Sequence, residues 1–247
     1  MIPWLRPGTP FPPVASALQV PNGLLCVTRE VTPTRLIEAY GQGIFPWHSA
    51  EEPVLWWSPD PRMVLYAAEF RVSRSLGRQL KRLPQSDSAL VVTLDRAFVK
   101  VMRECSAPRA GQEGTWITEP MLAAYVELHQ RGLAHSVEVW RDDELVGGLY
   151  GVALGRMFYG ESMFTRVTDA SKIALACLVR LLSREKTPMI DCQQNTSHLA
   201  SLGAREIPRS EFCAHVAAAV RGSPIDWAAY ATRPLNPLFG AALFAAP

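Results

Sequence analysis

A carboxylate and a carboxamide, Asp191 and Gln193, lie two positions apart at the end of the short apolar run PMIDCQ. Residues two apart on a strand point to the same face of a sheet. A carboxylate beside a carboxamide can hold a cationic α-ammonium group or receive its proton, and the amide NH2 can donate to a substrate. Taken alone, the pair is better explained as a hydrogen-bonded polar pair at a strand end.

A second carboxylate interrupts an aromatic stretch in the middle of the chain. Glu161 ends a predicted strand and lies among Phe158, Tyr159, Met163 and Phe164. It either reaches solvent at the strand end or is a site residue at the mouth of an apolar pocket. The periodicity of the residues, taken alone, favours solvent.

A third candidate is a basic stripe on a helix that the sequence predicts over residues 70–83. The apolar positions of this segment share one face, and the opposite face carries Arg71, Arg74, Arg78, Lys81 and Arg82. A solvated helix face explains such a stripe, and so does a phosphate-binding surface, because arginine forks match phosphate oxygens. The segment contains no acidic residue, so the five like charges repel one another, which favours phosphate binding.

The sequence predicts a β-hairpin that positions Glu161. Residues 145–153 and 156–161 are two β-like runs, and Leu-Gly-Arg makes a short turn between them. Gly147, Gly148, Gly151 and Gly160 lie inside these runs. Because glycine weakens a strand interior, these four indicate a bulge or the close approach of another backbone or a ligand.

The other predicted elements surround this hairpin. Thr32 caps a short helix that has Pro33 at its first position, Thr118 caps another, and Thr168 or Asp169 caps a third. Further strands are predicted at 89–92, 135–140 and 188–192, and further helices at 95–106, 199–202 and 211–220. The tail from residue 223 is expected to wrap the surface. This order of elements predicts an α+β fold with a mixed sheet flanked by helices.

Residues 44–66 contain three tryptophans and four prolines and set the N-terminal part of the chain apart. So many prolines exclude a regular helix or a central strand, so the rings must pack as a small core or line a cleft. We therefore predict a small N-terminal domain over residues 1–66 and a larger domain over residues 67–247.

The composition bounds the class of protein. The chain of 247 residues is 48% hydrophobic, and its net charge of +2 does not by itself indicate a nucleic-acid binder. No apolar run approaches the ~20 residues of a membrane span, and the N-terminus is too proline-rich for a signal peptide, so a cytoplasmic location is expected. The five scattered cysteines include no CxxC pair, which argues against a zinc site or a disulfide framework.

Nine short motifs, which run in order along the chain, together resemble one family. They are FPW (45–47), WWSPDPR (56–62), GTWIT (114–118), HSVE (135–138), LVGGLYG (145–151), GESMF (160–164), ASK (170–172), IDCQ (190–193) and SLGA (201–204). In these motifs the chain is similar to the bacterial leucyl/phenylalanyl-tRNA–protein transferases, and WWSPDPR and GESMF are very specific.

The resemblance implies a fold, an activity and partners. The fold is a small N-terminal domain followed by a domain of the GCN5-related acetyltransferase type. The activity is transfer of Leu or Phe from aminoacyl-tRNA (Leu-tRNA or Phe-tRNA) to the α-amine of proteins that begin with Arg or Lys, which marks them for degradation by the N-end rule. Neither a metal nor a diffusible cofactor is expected, and no membrane partner.

The resemblance also gives the polar candidates roles in the reaction, in which an amine attacks the ester carbonyl of an aminoacyl adenosine. In one mechanism Asp191 polarises Gln193, which takes the proton from the amine. In the other, the ribose hydroxyl relays the proton while Asp191 and Gln193 orient the substrates. A neutral amide is a very poor base, so we prefer the second mechanism, with Glu161 binding an α-ammonium group.

Substrate binding is expected from apolar, aromatic and basic side chains. Leu and Phe are unbranched at Cβ, so a pocket of flexible or aromatic groups accepts both and rejects Val and Ile. The candidates for this pocket are Leu149, Phe158, Met163, Leu178 and Leu182. Trp47 and Trp116 are expected to stack on or flank the terminal adenine, and the basic stripe to bind tRNA phosphates.

Two other functions are weighed against this one. A CoA-dependent N-acetyltransferase on the same fold needs an R/Q-x-x-G-x-G/A loop to cradle the pyrophosphate, and the nearest match, residues 74–79, lacks the last small residue. A non-catalytic RNA-binding module would use the basic stripe and the tryptophans. It would give no functional role to Glu161, Asp191 and Gln193.

Overall fold

The computed structural model of the chain describes residues 2–49, 52–85, 87–107 and 117–239. Ten β-strands and eight α-helices lie within these ranges. The strands are β1 (Leu24–Thr28), β2 (Phe45–Pro46), β3 (Val54–Trp57), β4 (Arg62–Tyr66), β5 (Val91–Leu94), β6 (Ala134–Arg141), β7 (Glu144–Leu154), β8 (Met157–Thr165), β9 (Met189–Gln193) and β10 (Arg205–Ile207). The helices are α1 (Pro33–Tyr40), α2 (Arg74–Arg82), α3 (Phe98–Ser106), α4 (Glu119–Gln130), α5 (Ala170–Arg184), α6 (Ser197–Ser201), α7 (Arg209–Ala219) and α8 (Ala228–Ala231).

The strands form two sheets. A small antiparallel sheet has the order β1-β3-β2, and a seven-stranded sheet has the order β10-β4-β9-β8-β7-β6-β5. In the large sheet neighbouring strands are antiparallel except β8 and β9, which are parallel. Helices α2 and α5 pack on one face of the large sheet, and α1, α3 and α4 pack on the other. The predicted α+β class, a mixed sheet flanked by helices, is confirmed.

The parallel pair β8 and β9 opens a notch in the large sheet. Only Phe158↔Ile190 and Tyr159↔Asp191 are paired between these strands. β8 then continues to Thr165 and β9 to Gln193 without further pairing between them. The two strands therefore separate, and the side chains just beyond the last pair face a gap within the sheet rather than a neighbouring strand.

The β7–β8 hairpin positions one side of this notch. The predicted turn between residues 154 and 157 is confirmed, and so is the bulge, which lies between Tyr150 and Gly151. A Cβ at Gly151 would lie 2.3 Å from the carbonyl oxygen of Tyr159, so no larger residue fits there. β8 runs past its predicted end at residue 161 to Thr165, which places Glu161 in the middle of a strand.

Strand β4 connects the N-terminal part of the chain to the large sheet. It follows the three-stranded sheet directly and pairs with both β9 and β10. The expectation that residues 44–66 contain no central strand was therefore wrong, because the prolines lie outside β3 and β4. It thereby brings the end of the WWSPDPR motif next to β9, where Asp191 lies. The division of the chain at residue 66 stays a prediction.

The helix starts follow their predicted caps at Thr32 and Thr118, whereas Asp169 precedes α5 but its side chain makes no capping hydrogen bond. The Thr32 hydroxyl accepts from the Arg35 N–H and the Thr118 hydroxyl from the Met121 N–H, as predicted. The helix predicted from residue 70 begins only at Arg74 and is capped by Ser73. Arg71 therefore lies outside the helix. None of the helices within the described ranges is both long and apolar enough to cross a bilayer.

The segment after residue 223 packs more deeply than the sequence suggests. Its buried side chains include Ile225, Trp227, Leu235 and Phe239. The Trp227 ring stacks on His135 at 4.2 Å between ring centroids. The expectation that this tail only wraps the surface was wrong for the described part, because these apolar side chains complete the α2–α5 face of the sheet.

Candidate active site

An ion pair without solvent contact lies beneath the notch. Arg62 of β4 donates from Nε to Asp191 Oδ1 at 2.8 Å and from Nη2 to Oδ2 at 2.6 Å, and both side chains are 0% exposed. The Phe45 and Phe212 rings lie 4.6 and 4.5 Å from the guanidinium carbon. Since a buried charge is costly without its partner, each member of this pair requires the other.

The Asp191 carboxylate has little capacity left for a substrate. Besides Arg62, its Oδ1 accepts the backbone N–H of Gln193 at 2.9 Å. The prediction that the Asp191 and Gln193 side chains point to the same face was wrong, because only the Gln193 backbone contacts the Asp191 carboxylate. Gln193 has a φ of 63°, which turns its side chain away from the regular strand direction. Its Nε2 donates to Glu161 Oε1 at 3.0 Å instead.

Glu161 is surrounded by neutral hydrogen-bond donors. Besides Gln193, the Tyr40 hydroxyl donates to its Oε1 at 2.6 Å and the Tyr125 hydroxyl to its Oε2 at 3.0 Å. Burial raises the pKa of Glu161 to about 7, although the two tyrosine hydrogen bonds lower it. A carboxyl group with a pKa near neutrality can both accept and return a proton, which is typical of general acid–base sites.

The two tyrosines were missed by the sequence analysis as site residues. Tyr40 ends α1 and Tyr125 lies in α4, and both are among the buried residues of their helices. Both side chains are fully buried. This burial, and to a smaller extent the negative charge of Glu161, raises the pKa of each hydroxyl well above 10.0. A buried tyrosine hydroxyl needs a polar partner, and that requirement was the available signal.

An apolar pocket opens beside Glu161, on the α5 side of the notch. Its volume is about 100 Å³. Four of the five predicted residues line it, namely Leu149, Phe158, Met163 and Leu178. Leu182 is buried but does not line the pocket, whereas Leu175, Ile190 and Leu199 do and were not predicted.

A wider cleft of about 480 Å³ adjoins this pocket. The pocket and the cleft have five lining residues in common: Glu161, Ser162, Met163, Cys192 and Leu199. Trp47 lines the cleft and is 45% exposed, with its ring edge-on to Trp57 at 5.9 Å. The other predicted adenine-binding residue, Trp116, lies outside the described residues. Glu161 thus lies where a narrow apolar pocket meets an open polar cleft.

The basic stripe borders a groove between α2 and α5, which we call the basic groove. Its volume is about 960 Å³, and its basic lining residues are Arg74, Arg78, Lys81 and Arg180. Arg71 and Arg82 are exposed but do not line it. Among the described residues no acidic side chain forms an ion pair with Arg71, Arg74, Arg78, Arg82 or Arg180.

The site does not include a metal centre within the part of the chain that the structure describes. No group of three His, Cys, Asp or Glu side chains there could hold a metal ion. Cys192 contributes a thiol beside the pocket. Its burial raises the pKa of this thiol most, and the charge of Asp191 raises it further. A thiol in that environment is a poor nucleophile.

Two family models match the chain. One, leucyl/phenylalanyl-tRNA protein transferase, matches residues 64–217, and the other, the N-terminal domain of the same transferase, matches residues 29–60. Curated proteins named leucyl/phenylalanyl-tRNA–protein transferase are similar over most of the chain. The one from Paraburkholderia phytofirmans is 57% identical over 92% of this chain and 94% of its own length. The one from Burkholderia vietnamiensis is 57% identical over 100% of this chain and 98% of its own.

Solved structures similar to this one include a GCN5-related N-acetyltransferase and a GCN5-related N-acetyltransferase-like protein. The one from Kribbella flavida is 10% identical, with a TM-score of 0.33 over 66% of this chain and 56% of its own. The one from Streptococcus suis is 17% identical, with a TM-score of 0.34 over 74% of this chain and 67% of its own. At these scores the likeness decides nothing about the site.

Proposed function

This chain belongs to the leucyl/phenylalanyl-tRNA–protein transferase family and is an aminoacyltransferase, and from this premise we propose its substrates and the roles of its residues. It transfers Leu or Phe from aminoacyl-tRNA to the α-amine of proteins that begin with Arg or Lys, and so tags them for degradation by the N-end rule. The reaction takes place in the cytoplasm, where aminoacyl-tRNA is present. One observation carries the proposal: Glu161 lies where the apolar pocket meets the cleft, and it accepts a hydrogen bond from Gln193, which lines the cleft.

The apolar pocket binds the side chain of the aminoacyl group. Leu149 and Phe158 form rigid walls, while Met163 and Leu178 are flexible enough to fit either a branched aliphatic chain or a ring. A Cβ-branched substrate would put a second carbon at the narrow mouth, next to Glu161. The pocket therefore favours Leu and Phe over Val and Ile.

The acyl transfer takes place in the notch. The amine nitrogen forms a bond to the ester carbonyl carbon, the bond from that carbon to the ribose oxygen breaks, and one proton passes from nitrogen to the ribose oxygen. Gln193 has a second amide N–H with which it can donate to the aminoacyl group. Asp191 is a positioning residue, since its carboxylate binds Arg62 and the Gln193 backbone and fixes the turn from which Gln193 reaches Glu161.

The tRNA binds across the cleft and the basic groove. Trp47, which is exposed at the cleft, stacks on or flanks the terminal adenine, with Trp116 as its proposed partner. The groove arginines contact acceptor-stem phosphates. A-form RNA offers no usable major-groove code, so charge and shape allow several tRNAs to bind. The basic lining of the groove and the absence of ion pairs on its arginines within the described ranges support this role.

A transfer assay tests the proposal. The protein is incubated with radiolabelled Leu-tRNA and a peptide with N-terminal Arg, and a peptide with an acidic N-terminus serves as the control. Labelling of the Arg peptide alone is expected. Labelling of the acidic peptide alone, or of neither, refutes the proposed acceptor. A rise in melting temperature with acetyl-CoA would instead favour an acetyltransferase, because a ligand that binds only the folded state stabilises it.

A further inference from the structure

Three side chains from three different elements bring their oxygen atoms together behind the notch. The Tyr40 and Tyr125 hydroxyl oxygens are 2.5 Å apart, and they lie 2.6 and 3.0 Å from the two oxygens of Glu161. We call this arrangement of Tyr40, Tyr125 and Glu161 the oxygen triangle. All three contacts are within hydrogen-bond distance, so each requires one proton between its two oxygens.

The number of protons in the oxygen triangle depends on the charge of Glu161. With an ionised carboxylate only the two tyrosine protons are available, so one of the three contacts has no proton and places two oxygen lone pairs face to face. With a protonated carboxyl group there are three protons for three contacts. Tyr40 then donates to Glu161, Glu161 to Tyr125, and Tyr125 to Tyr40. The two tyrosine hydrogen bonds lower the pKa of Glu161, and the triangle keeps a place for one further proton.

We propose that the oxygen triangle is the proton acceptor of the transfer reaction, with Glu161 as the catalytic base and Tyr40 and Tyr125 as positioning residues that donate to the ionised carboxylate and rearrange around the proton once it has arrived. This inference rests on the proposed function, because it names the route of a proton in that reaction. The substrate group that it serves is the attacking α-amine of the acceptor, which must lose a proton as its nitrogen bonds to the carbonyl carbon.

The proton balance closes within the notch. One N–H proton of the attacking amine passes to a Glu161 oxygen, while the tyrosine contacts rearrange to three hydrogen bonds. The same proton then passes from Glu161 to the ribose oxygen as the bond from that oxygen to the carbonyl carbon breaks. Glu161 returns to its ionised form, and no other acid, base or metal is needed.

Other groups at the notch are less suited to take the proton. Both Asp191 oxygens accept from Arg62, and one also accepts from the Gln193 backbone. The Gln193 amide is neutral and its Nε2 already donates to Glu161. Two charged groups, Asp191 on the neighbouring strand β9 and Arg62 on β4 beyond it, act on the pKa of Glu161 in opposite directions. Its burial dominates and raises the pKa to about 7, which suits an exchange of protons with an amine.

Single tyrosine-to-phenylalanine variants test the positioning role. Tyr40→Phe and Tyr125→Phe each remove a hydrogen bond that lowers the pKa of Glu161. The acid limb of kcat/KM for a fixed acceptor peptide should therefore move to higher pH in both variants, and kcat should fall roughly 10- to 100-fold, as expected for a hydrogen bond to a charged group. The KM for Leu-tRNA should not change.

Tyr159→Phe is the matched control. Tyr159 is fully buried and its ring lies 4.9 Å from that of Tyr40, but its hydroxyl donates to the Tyr40 backbone carbonyl and not to Glu161. This variant should lose stability without moving the acid limb. Equal movement in all three variants, or a fall in kcat with an unchanged limb in Tyr40→Phe and Tyr125→Phe, would overturn the role of the triangle.

A spectroscopic readout separates this inference from the proposed function. Infrared titration of protein with 13C-labelled glutamate reports protonation of Glu161 directly, with Glu161→Gln as the reference. The carboxylic-acid band should titrate near neutral pH in the wild type and at higher pH in Tyr40→Phe. If the wild type transfers Leu but this band titrates at ordinary glutamate pH, the inference fails and the function stands. If the band behaves as expected but no transfer occurs, the proposed function fails instead.

Discussion

Two carboxylates belong to the notch between β8 and β9, and their surroundings differ in one respect. Asp191 faces a permanent positive charge, the Arg62 guanidinium, at 2.6 Å, and neither side chain reaches water. Glu161 faces two tyrosine hydroxyls and an amide, all of them neutral donors. A carboxylate held by a permanent cation fixes geometry, whereas a carboxylate held by neutral donors can gain and lose a proton. We therefore propose that Asp191 serves the structure and Glu161 the reaction.

The largest expected effect comes from breaking the fixed pair. Arg62→Met or Asp191→Ala leaves one buried charge without its partner, so each should lose roughly 3–5 kcal/mol of unfolding free energy. Transfer should be slow in both while the KM for Leu-tRNA stays nearly unchanged, because neither side chain lies near the basic groove. Urea unfolding and steady-state kinetics measure these two quantities.

The double variant Arg62→Met/Asp191→Leu sharpens this prediction. Removing both charges removes the uncompensated one, so the double variant should be more stable than either single variant. If the three variants lose the same free energy of unfolding, the pair does not act as a unit.

The next effect concerns the other carboxylate. Glu161→Gln keeps the shape of the side chain but cannot accept a proton, so transfer should fall roughly 10²- to 10⁴-fold. Glu161 has a pKa of about 7 when folded against an ordinary value of 4.5. The stability that its protonated form contributes is therefore complete below pH 4.5 and is lost as pH rises through 7. Between these values the wild type should lose stability with rising pH, and Glu161→Gln should lack that slope in urea titrations.

Pocket substitutions should have a smaller effect, and on specificity rather than on proton transfer. Met163→Ala or Phe158→Ala should change the Leu-to-Phe preference by about 1–3 kcal/mol, because each enlarges an apolar wall. Leu182→Ala is the matched control, since Leu182 is fully buried on α5 but does not line the pocket. Kinetics with Leu-tRNA and Phe-tRNA give the ratio. A uniform loss with both donors would make Phe158 and Met163 supports of the fold.

The smallest effect is expected at the basic groove. Arg78→Ala should raise the KM for Leu-tRNA and reduce the slope of log K against log salt by roughly 1 for each phosphate that the variant no longer binds. Arg82→Ala should do less, because Arg82 lies on the same helix but does not line the groove. Turnover at saturating tRNA and the KM for aminoacyl-adenosine should hardly change. Equal loss with aminoacyl-adenosine would show that α2 supports the reaction centre itself.

More of the fold than of the candidate site could be predicted from the sequence. Period-two runs, glycines and caps predicted the β7–β8 hairpin, its bulge and the helix starts at Thr32 and Thr118, because these signals act between near neighbours. Strand β10, with three residues, left no such signal. The start of α2 was misplaced because Ser73, a better cap than any earlier residue, was read as part of the helix.

The site depended on contacts that no local pattern contains. Motif similarity pointed to Glu161, Asp191 and Gln193, but their partners come from distant parts of the chain. Arg62 and Asp191 are 129 positions apart, and Tyr40 and Glu161 are 121 positions apart. Tyr40 and Tyr125, which the sequence analysis did not identify as site residues, occupy buried helix positions. A tyrosine at such a position is usually interpreted as a hydrophobic core residue. Their role follows only when the hydroxyl partners are known.

The enclosure of the Arg62 guanidinium is completed late in the synthesis of the chain. Its walls and its counter-ion come from Phe45, Asp191 and Phe212, so the last of them leaves the ribosome long after the first. At ~5–20 residues per second, a nascent chain spends several seconds with Arg62 made and Asp191 and Phe212 still missing. During that interval Arg62 lacks the counter-ion that it has in the folded protein. The surroundings of Arg62 are therefore complete only after α7 has been synthesised.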